Sequence, residues 1–295
     1  MLKTSVAACA SILLATSPHA PATMDEEEAI RLVEKALTSL SVEVAPHSPV
    51  HTPRMSTQLR HTTLETDPDH IVSVVPGEDL HSTETTSFNN TIIQQSQETT
   101  NYYFSHREED RIIFGAVVSP DTLQATFNIH IDNTSPQATD SGYLFIDNST
   151  AEAVAIVEGI EVRDTAGTLI KADMSMQGDQ LLVTPQPNDP TNGQPLTITA
   201  SARGTCIANI RYTGTSQGTI VHVYRASSPS AICWRAPQTV YDEYTQWAPS
   251  AYHGQKYRDQ LVCHVANAWE KRPWNLESWR PNVGYEATVA AFCNP

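Results

Sequence analysis

Between Arg111 and Ala202 the chain alternates short runs of β-branched and aromatic residues with turn signals, and no amphipathic helix intervenes. Ile112-Ile113-Phe114-Gly115-Ala116-Val117-Val118 is one such run. Leu123 to Ile131 then alternates apolar and polar residues, as a half-buried strand does because successive side chains point to opposite faces. Tyr143 to Ile146, Ala153 to Val162, Thr168 to Ala172, Gln180 to Thr184 and Leu196 to Ala200 follow. The runs are separated by Asn-Ser-Thr, Asp-Thr-Ala-Gly, Gln-Gly-Asp and Asn-Asp-Pro-Thr-Asn-Gly, all turn formers. Parallel strands need long crossovers, usually helical, and none is available here. The pattern therefore excludes a doubly wound parallel sheet. It predicts a mainly β chain: an antiparallel β-sandwich or barrel-like module over residues 111–204, followed by a small disulfide-bonded α+β domain over 205–295.

The N-terminal flank reads as a leader and a linker. Lys3, an apolar run from Val6 to about Leu14 and the small residues of Ala20-Pro21-Ala22 make residues 1–22 an expected signal peptide. The run is too short to span a bilayer, which takes roughly 20 apolar residues. The expectation is a secreted, extracellular protein without a transmembrane segment after processing. Within residues 23–110, Met24 to Leu40 is predicted helical, with Asp25 as cap, Glu26 to Glu28 at the positive end of its dipole, and Ile30, Val33, Ala36, Leu37 and Leu40 as an apolar stripe. From Pro46 to Glu109 the composition turns to Thr, Ser, His, Gln and Asn, which predicts a loosely ordered connector with one or two edge strands near His70–Val75 and Thr91–Ile93. Of its histidines only His47 and His51 have helical i,i+4 spacing, and Pro46, Pro49 and Pro53 deny them a helix. No metal or cofactor is expected.

The last third is different in kind. All five tryptophans lie there, with four of the five cysteines: Cys206, Cys233, Cys263 and Cys293. An even count in an exported chain predicts two disulfides, with three connectivities open. Sequential pairing would close loops of about 30 residues, each stabilising by roughly 3–4 kcal/mol in the chain-entropy model. A hairpin is predicted over Ile207–Tyr212 and Thr219–Tyr224. A helix is predicted from Lys256 to Glu270, with Leu261, Val262, Val265, Ala266 and Trp269 on one side, and a weak closing strand from Glu286 to Phe292. Gly214-Thr215-Ser216-Gln217-Gly218 has the GxSxG form of a nucleophile elbow, but a β-prone run follows where that motif needs a helix. It reads as a hairpin turn. Cys263 and His264 are sequence neighbours whose side chains leave a helix about 100° apart, so adjacency does not make them a nucleophile pair.

Three stretches carry a resemblance: Asp259-Gln260-Leu261-Val262-Cys263-His264, then Trp274-Asn275-Leu276-Glu277-Ser278-Trp279-Arg280-Pro281-Asn282-Val283-Gly284-Tyr285, then Cys293-Asn294-Pro295. Together they are similar to the C-terminal module of exported actinobacterial proteins known as domain of unknown function 2599. The likeness covers roughly the last ninety residues. It implies an exported, disulfide-closed domain with no established activity, so it transfers no catalytic residue. It also implies Cys263 paired with Cys293, which leaves Cys206 for Cys233.

A net charge of −15 argues against nucleic acid and anionic lipid as partners. Trp274 and Trp279 can bury against the preceding helix as a clamp. They can equally face outward beside Asn275, Glu277, Arg280 and Asn282, with His264 and Asp259 on the helix, as a binding surface on which rings stack on sugars and amides and carboxylates take hydroxyls. The expected function is a non-enzymatic binding protein for cell-envelope polysaccharide or an extracellular protein. The alternative is a secreted hydrolase or toxin using His264 with Glu277 or Asp259 as acid and base.

Overall fold

A computed structural model describes residues 24–40, 62–67, 69–88, 90–120, 122–186 and 193–295. The expected signal peptide, His47, His51 and the prolines around them lie outside the described residues. The chain opens with α1 (Glu26–Ser39), and Asp25 caps it by accepting from the Glu28 N–H at 2.8 Å. Then come β1 (Thr62–Asp67), β2 (His70–Pro76), β3 (Leu80–Phe88), β4 (Thr91–Ser96), β5 (Tyr102–Arg107) and β6 (Arg111–Val118). Next are β7 (Ala125–His130), β8 (Thr134–Ala138), β9 (Tyr143–Asp147), β10 (Ala153–Arg163) and β11 (Leu169–Ile170). The body closes with β12 (Ala172–Gln177), β13 (Gln180–Pro185) and β14 (Leu196–Gly204).

All pairings are antiparallel and neither body sheet closes on itself. One sheet has the order β1-β2-β7-β13-β12, the other β3-β4-β5-β6-β14-β10-β9-β8, with β11 beside β10. The module is a sandwich and not a barrel. Its core takes Val72, Val74, Phe127, Ile129, Leu181 and Val183 from the first sheet and Phe114, Ala116, Val118, Phe145, Val157 and Ile198 from the second. The second sheet is buried on both faces at its centre, because α1 lays Leu32, Val33 and Leu37 against Ile93, Tyr102, Phe104, Ile113 and Val117 on the outer side. That is why Ile112 to Val118 is apolar without alternation.

In the connector expected between Pro46 and Glu109, the strands expected near His70–Val75 and Thr91–Ile93 are present as β2 and β4, each inside its sheet and not at an edge, and β1, β3 and β5 are added to them; residues 46–61 lie outside the described residues. β1 and β2 place only Leu64, Val72 and Val74 in the core between the sheets, and Ile93 of β4 packs on the α1 side, so the Thr-, Ser- and Gln-rich sequence around them resembles a loop in composition.

The C-terminal part has its own sheet, β15 (Ile207–Thr215), β16 (Gly218–Arg225) and β17 (Trp274–Glu277), in that order. Four helices accompany it: α2 (Ile232–Arg235), α3 (Pro237–Trp247), α4 (Gln255–Asn267) and α5 (Tyr285–Ala290). The sequence reading gave no sign of α2 and α3. The closing strand expected at Glu286–Phe292 is instead the helix α5. Its apolar residues Val289 and Phe292 are exposed, and only Thr288 and Cys293 turn inward, so no strand face was available to bury. On α4 the buried residues include Tyr257, Leu261, His264 and Val265, whereas Ala266 is exposed.

Two disulfides fasten this part: Cys206–Cys233, which bridges the start of β15 to α2, and Cys263–Cys293, which ties the last residues to α4. The joint with the sandwich is polar and enclosed. Arg203 at the end of β14 donates to Glu243 on α3 at 2.8 Å and to Glu158 on β10 at 2.7 and 3.2 Å. Glu243 is fully buried and also accepts the main-chain N–H groups of Cys206 and Ile207.

Candidate functional site

The C-terminal sheet has two unlike faces. Val221, Val223, Trp274 and Leu276 alternate inward and pack on Val240 and Tyr244 of α3 and on Tyr257, Leu261 and Val265 of α4. The alternate residues, Arg211, Thr213, Ile220, His222, Tyr224, Asn275 and Glu277, point the other way and are exposed or half-exposed. The strand period of two makes both sets at once.

Register brings the outward residues into rows. Arg211 lies opposite His222, and His222 opposite Asn275, while Thr213, Ile220 and Glu277 form the next row. The His222 ring is held from both sides. Its Nδ1 is 2.8 Å from Asn275 Oδ1 and its Nε2 is 3.0 Å from Thr213 Oγ1. With Asn275 accepting from Nδ1–H, the neutral ring takes the Thr213 hydroxyl hydrogen at Nε2. Arg211 sets its guanidinium 5.3 Å from the centre of the Tyr224 ring, a cation–π contact that holds it over the face. Arg280 donates to Glu277 at 2.5 Å and to the main-chain oxygen of Pro295 at 3.1 Å, so the terminal strap is tied to the end of β17.

The turn that joins β15 to β16 is made of Ser216 and Gln217, between the paired residues Thr215 and Gly218. Gly218 has φ 146°, and a Cβ there would lie 2.5 Å from Ser278 Oγ, so the close return of the strap requires glycine. Ser278 Oγ accepts the Thr219 N–H at 2.7 Å.

The eight residues expected at a binding surface divide between the two faces of the sheet. Asn275, Glu277 and Arg280 belong to the open face, and Asn282 is exposed in the loop that follows. Trp274 is fully buried and donates its indole N–H to the Ala268 carbonyl at 3.1 Å, so it is core. Trp279 is half-buried beside Gly218. Asp259 is buried, with one carboxylate oxygen accepting from Gln255 at 2.6 Å.

His264 is buried on the helix side and serves the edge of the sheet. The Asn275 carbonyl accepts from His264 Nε2 at 3.2 Å, and Gln260 Oε1 accepts the Glu277 N–H at 2.9 Å. The two side chains are four residues apart on α4, a rise of about 6 Å, and their targets are two apart on β17, about 6.7 Å. The match lets one helix face satisfy the outer backbone groups of an edge strand. Burial above all, with Lys271 adding to it, pushes the His264 imidazole down to about 4. It is neutral near pH 7 and hydrogen-bonded to backbone. His264 and Glu277 share no hydrogen bond among the described residues.

Sequence reading missed Arg211, Thr213, His222 and Tyr224. The signal was present in the β16 run, where Val221 and Val223 alternate with Ile220, His222 and Tyr224.

Charge is unevenly shared along the chain. Residues 207–295 hold eight Lys and Arg against six Asp and Glu, so the acidic excess lies wholly in residues 1–206. Glu243 and Asp259 are buried, which leaves four carboxylates of this region, Asp242, Glu270, Glu277 and Glu286, at the surface. The argument against anionic partners, drawn from the whole chain, does not reach this face. Among the described residues no group of three or more His, Cys, Asp or Glu is gathered to hold a metal ion, and no helix is long and apolar enough to cross a membrane.

Residues 207–295 match a family described as a protein of unknown function, DUF2599. No curated protein matches the chain.

Proposed function

We propose that this is an extracellular binding protein in which the β-sandwich carries the C-terminal domain, and the open face of the C-terminal sheet takes a hydroxyl-rich polymer, cell-envelope polysaccharide being the first to test. The observation that supports this most is the hydrogen-bonded chain Thr213–His222–Asn275, which crosses three strands on the exposed side. A hydroxyl and an amide held in place by the imidazole between them take sugar hydroxyls with little ordering cost at binding. The two disulfides and the leader-like first 22 residues are compatible with work outside the cytosol.

The experiment is retention of the full processed chain on purified envelope polysaccharide, compared with the double variant His222→Ala, Asn275→Ala. The wild-type chain is retained, and the double variant passes through at least ten-fold faster with an unchanged melting temperature. Equal elution of the two proteins would refute the site.

A further inference from the structure

The proposed function leaves open which polymer the sheet face takes, and the inference here rests on that reading. Three observations bear on the charge of the ligand. Arg211 is exposed on the face, stands in register beside the His222 row, and has no carboxylate partner among the described residues. The other arginine on this side, Arg280, is already taken by Glu277 and the Pro295 main-chain oxygen. The domain around the face has more Lys and Arg than Asp and Glu, although the remainder of the chain is strongly acidic.

A guanidinium left unpaired next to fixed hydroxyl and amide groups is equipped for an anion and a hydroxyl on one ligand. Its planar fork matches a carboxylate in two parallel hydrogen bonds, and these charge-assisted bonds are about twice as strong as neutral ones. The contact with Tyr224 fixes the fork before the ligand arrives. Arg211, His222 and Asn275 follow one another at the distance between strands, about 4.8 Å per step, with Thr213 on the diagonal two residues along. We propose that the ligand is an acidic polysaccharide, with Arg211 taking a carboxylate of one sugar unit while the Thr213 hydroxyl oxygen and the Asn275 amide N–H groups, both held by the His222 ring, take hydroxyls of the same and the next unit. The acidic sandwich then acts against the polymer spreading off the sheet, since like charges repel it.

The test uses the full processed chain at low ionic strength with three immobilised probes: polygalacturonate, which carries carboxylates on hydroxylated rings, neutral dextran, and single-stranded polyuridylate. The expected result is binding to polygalacturonate roughly ten-fold tighter than to dextran, a preference that Arg211→Gln abolishes and Arg211→Lys, with the charge but not the fork, keeps only in part. Arg211 is exposed, so both variants should melt with the wild type, and melting is measured alongside. Equal binding to dextran and polygalacturonate would overturn the acidic assignment and leave the binding face standing. Polyuridylate held as tightly as polygalacturonate would overturn it in favour of a general polyanion surface. Binding to neither polysaccharide would overturn both readings.

Discussion

Replacing Glu243 by Gln changes one atom at the most enclosed polar point of the molecule. The wild-type carboxylate uses Oε1 for the N–H groups of Cys206 and Ile207, at 2.9 and 2.8 Å, and Oε2 for Arg203 at 2.8 Å. In the variant the amide oxygen can keep the two main-chain donors, but the NH2 group then faces the Arg203 guanidinium, donor against donor. Burial pushes the Arg203 guanidinium down, yet Glu243 and Glu158 outweigh it and hold it above its ordinary value. Arg203 therefore stays charged and loses one of its two anionic partners. Breaking a buried pair by removing one partner costs about 3–5 kcal/mol. Because Glu158 remains, the lower end applies, about 3 kcal/mol. All five tryptophans lie in residues 207–295, so indole fluorescence during guanidinium unfolding reports on this region. The expected result is a midpoint lowered by the equivalent of about 3 kcal/mol, with a coupling above about 1 kcal/mol in the cycle of Glu243→Gln with Arg203→Met. A coupling near zero would show that the joint is held by packing alone, and the electrostatic reasoning would fail.

Two further outcomes are expected. Cys263→Ala with Cys293→Ala opens a loop of sequence separation 30 and should lower stability by roughly 3–4 kcal/mol in fluorescence-monitored unfolding, more than any exposed substitution on α5. The depressed His264 makes stability depend on pH: below about 6.5 the unfolded chain binds a proton that the folded chain refuses until about pH 4, so stability falls as pH drops through that window by roughly 3 kcal/mol. His264→Gln can still donate to the Asn275 carbonyl, and it should flatten that part of the pH–stability curve. An unchanged slope would mean another group is responsible.

What could be read from the sequence followed the contrast between faces. Where a strand or helix set one clean apolar face against a polar one, as in Leu123 to Ile131 or α1, the pattern gave the element. Of the strands from Thr62 to Arg107, those near His70–Val75 and Thr91–Ile93 were legible, whereas β1, β3 and β5 were not, because they lie in sequence rich in Thr, Ser and His, which serve equally well in loops. The pairing Cys263–Cys293 was implied by the family resemblance and is present. Asn275, Glu277 and Arg280 were singled out for their polarity beside tryptophan, yet their partner His222 lies 53 residues away from Asn275 in the chain and is joined to it only by register. His264 was attractive for the opposite reason. A histidine in a helix looks available until the neighbouring strand is known, and the backbone of β17 uses it.

The seal made by Gln260 and His264 closes over a strand whose alignment is set by its buried side chains. An edge strand held only by its inward side chains can slide by two residues and still place apolar groups inward. Here one acceptor and one donor on α4 must find one N–H and one carbonyl on β17, in that order and at that spacing. A slide by one residue would turn Asn275 and Glu277 into the core and Trp274 and Leu276 out of it. A slide by two would offer α4 equivalent backbone groups but would put Arg272 where Trp274 is buried, or Ser278 where Leu276 is. Trp274 and Leu276 thus select a single setting of the strand, α4 seals its outer backbone in that setting, and the position of Asn275 against His222 follows, so the geometry of the open face is fixed from behind the sheet.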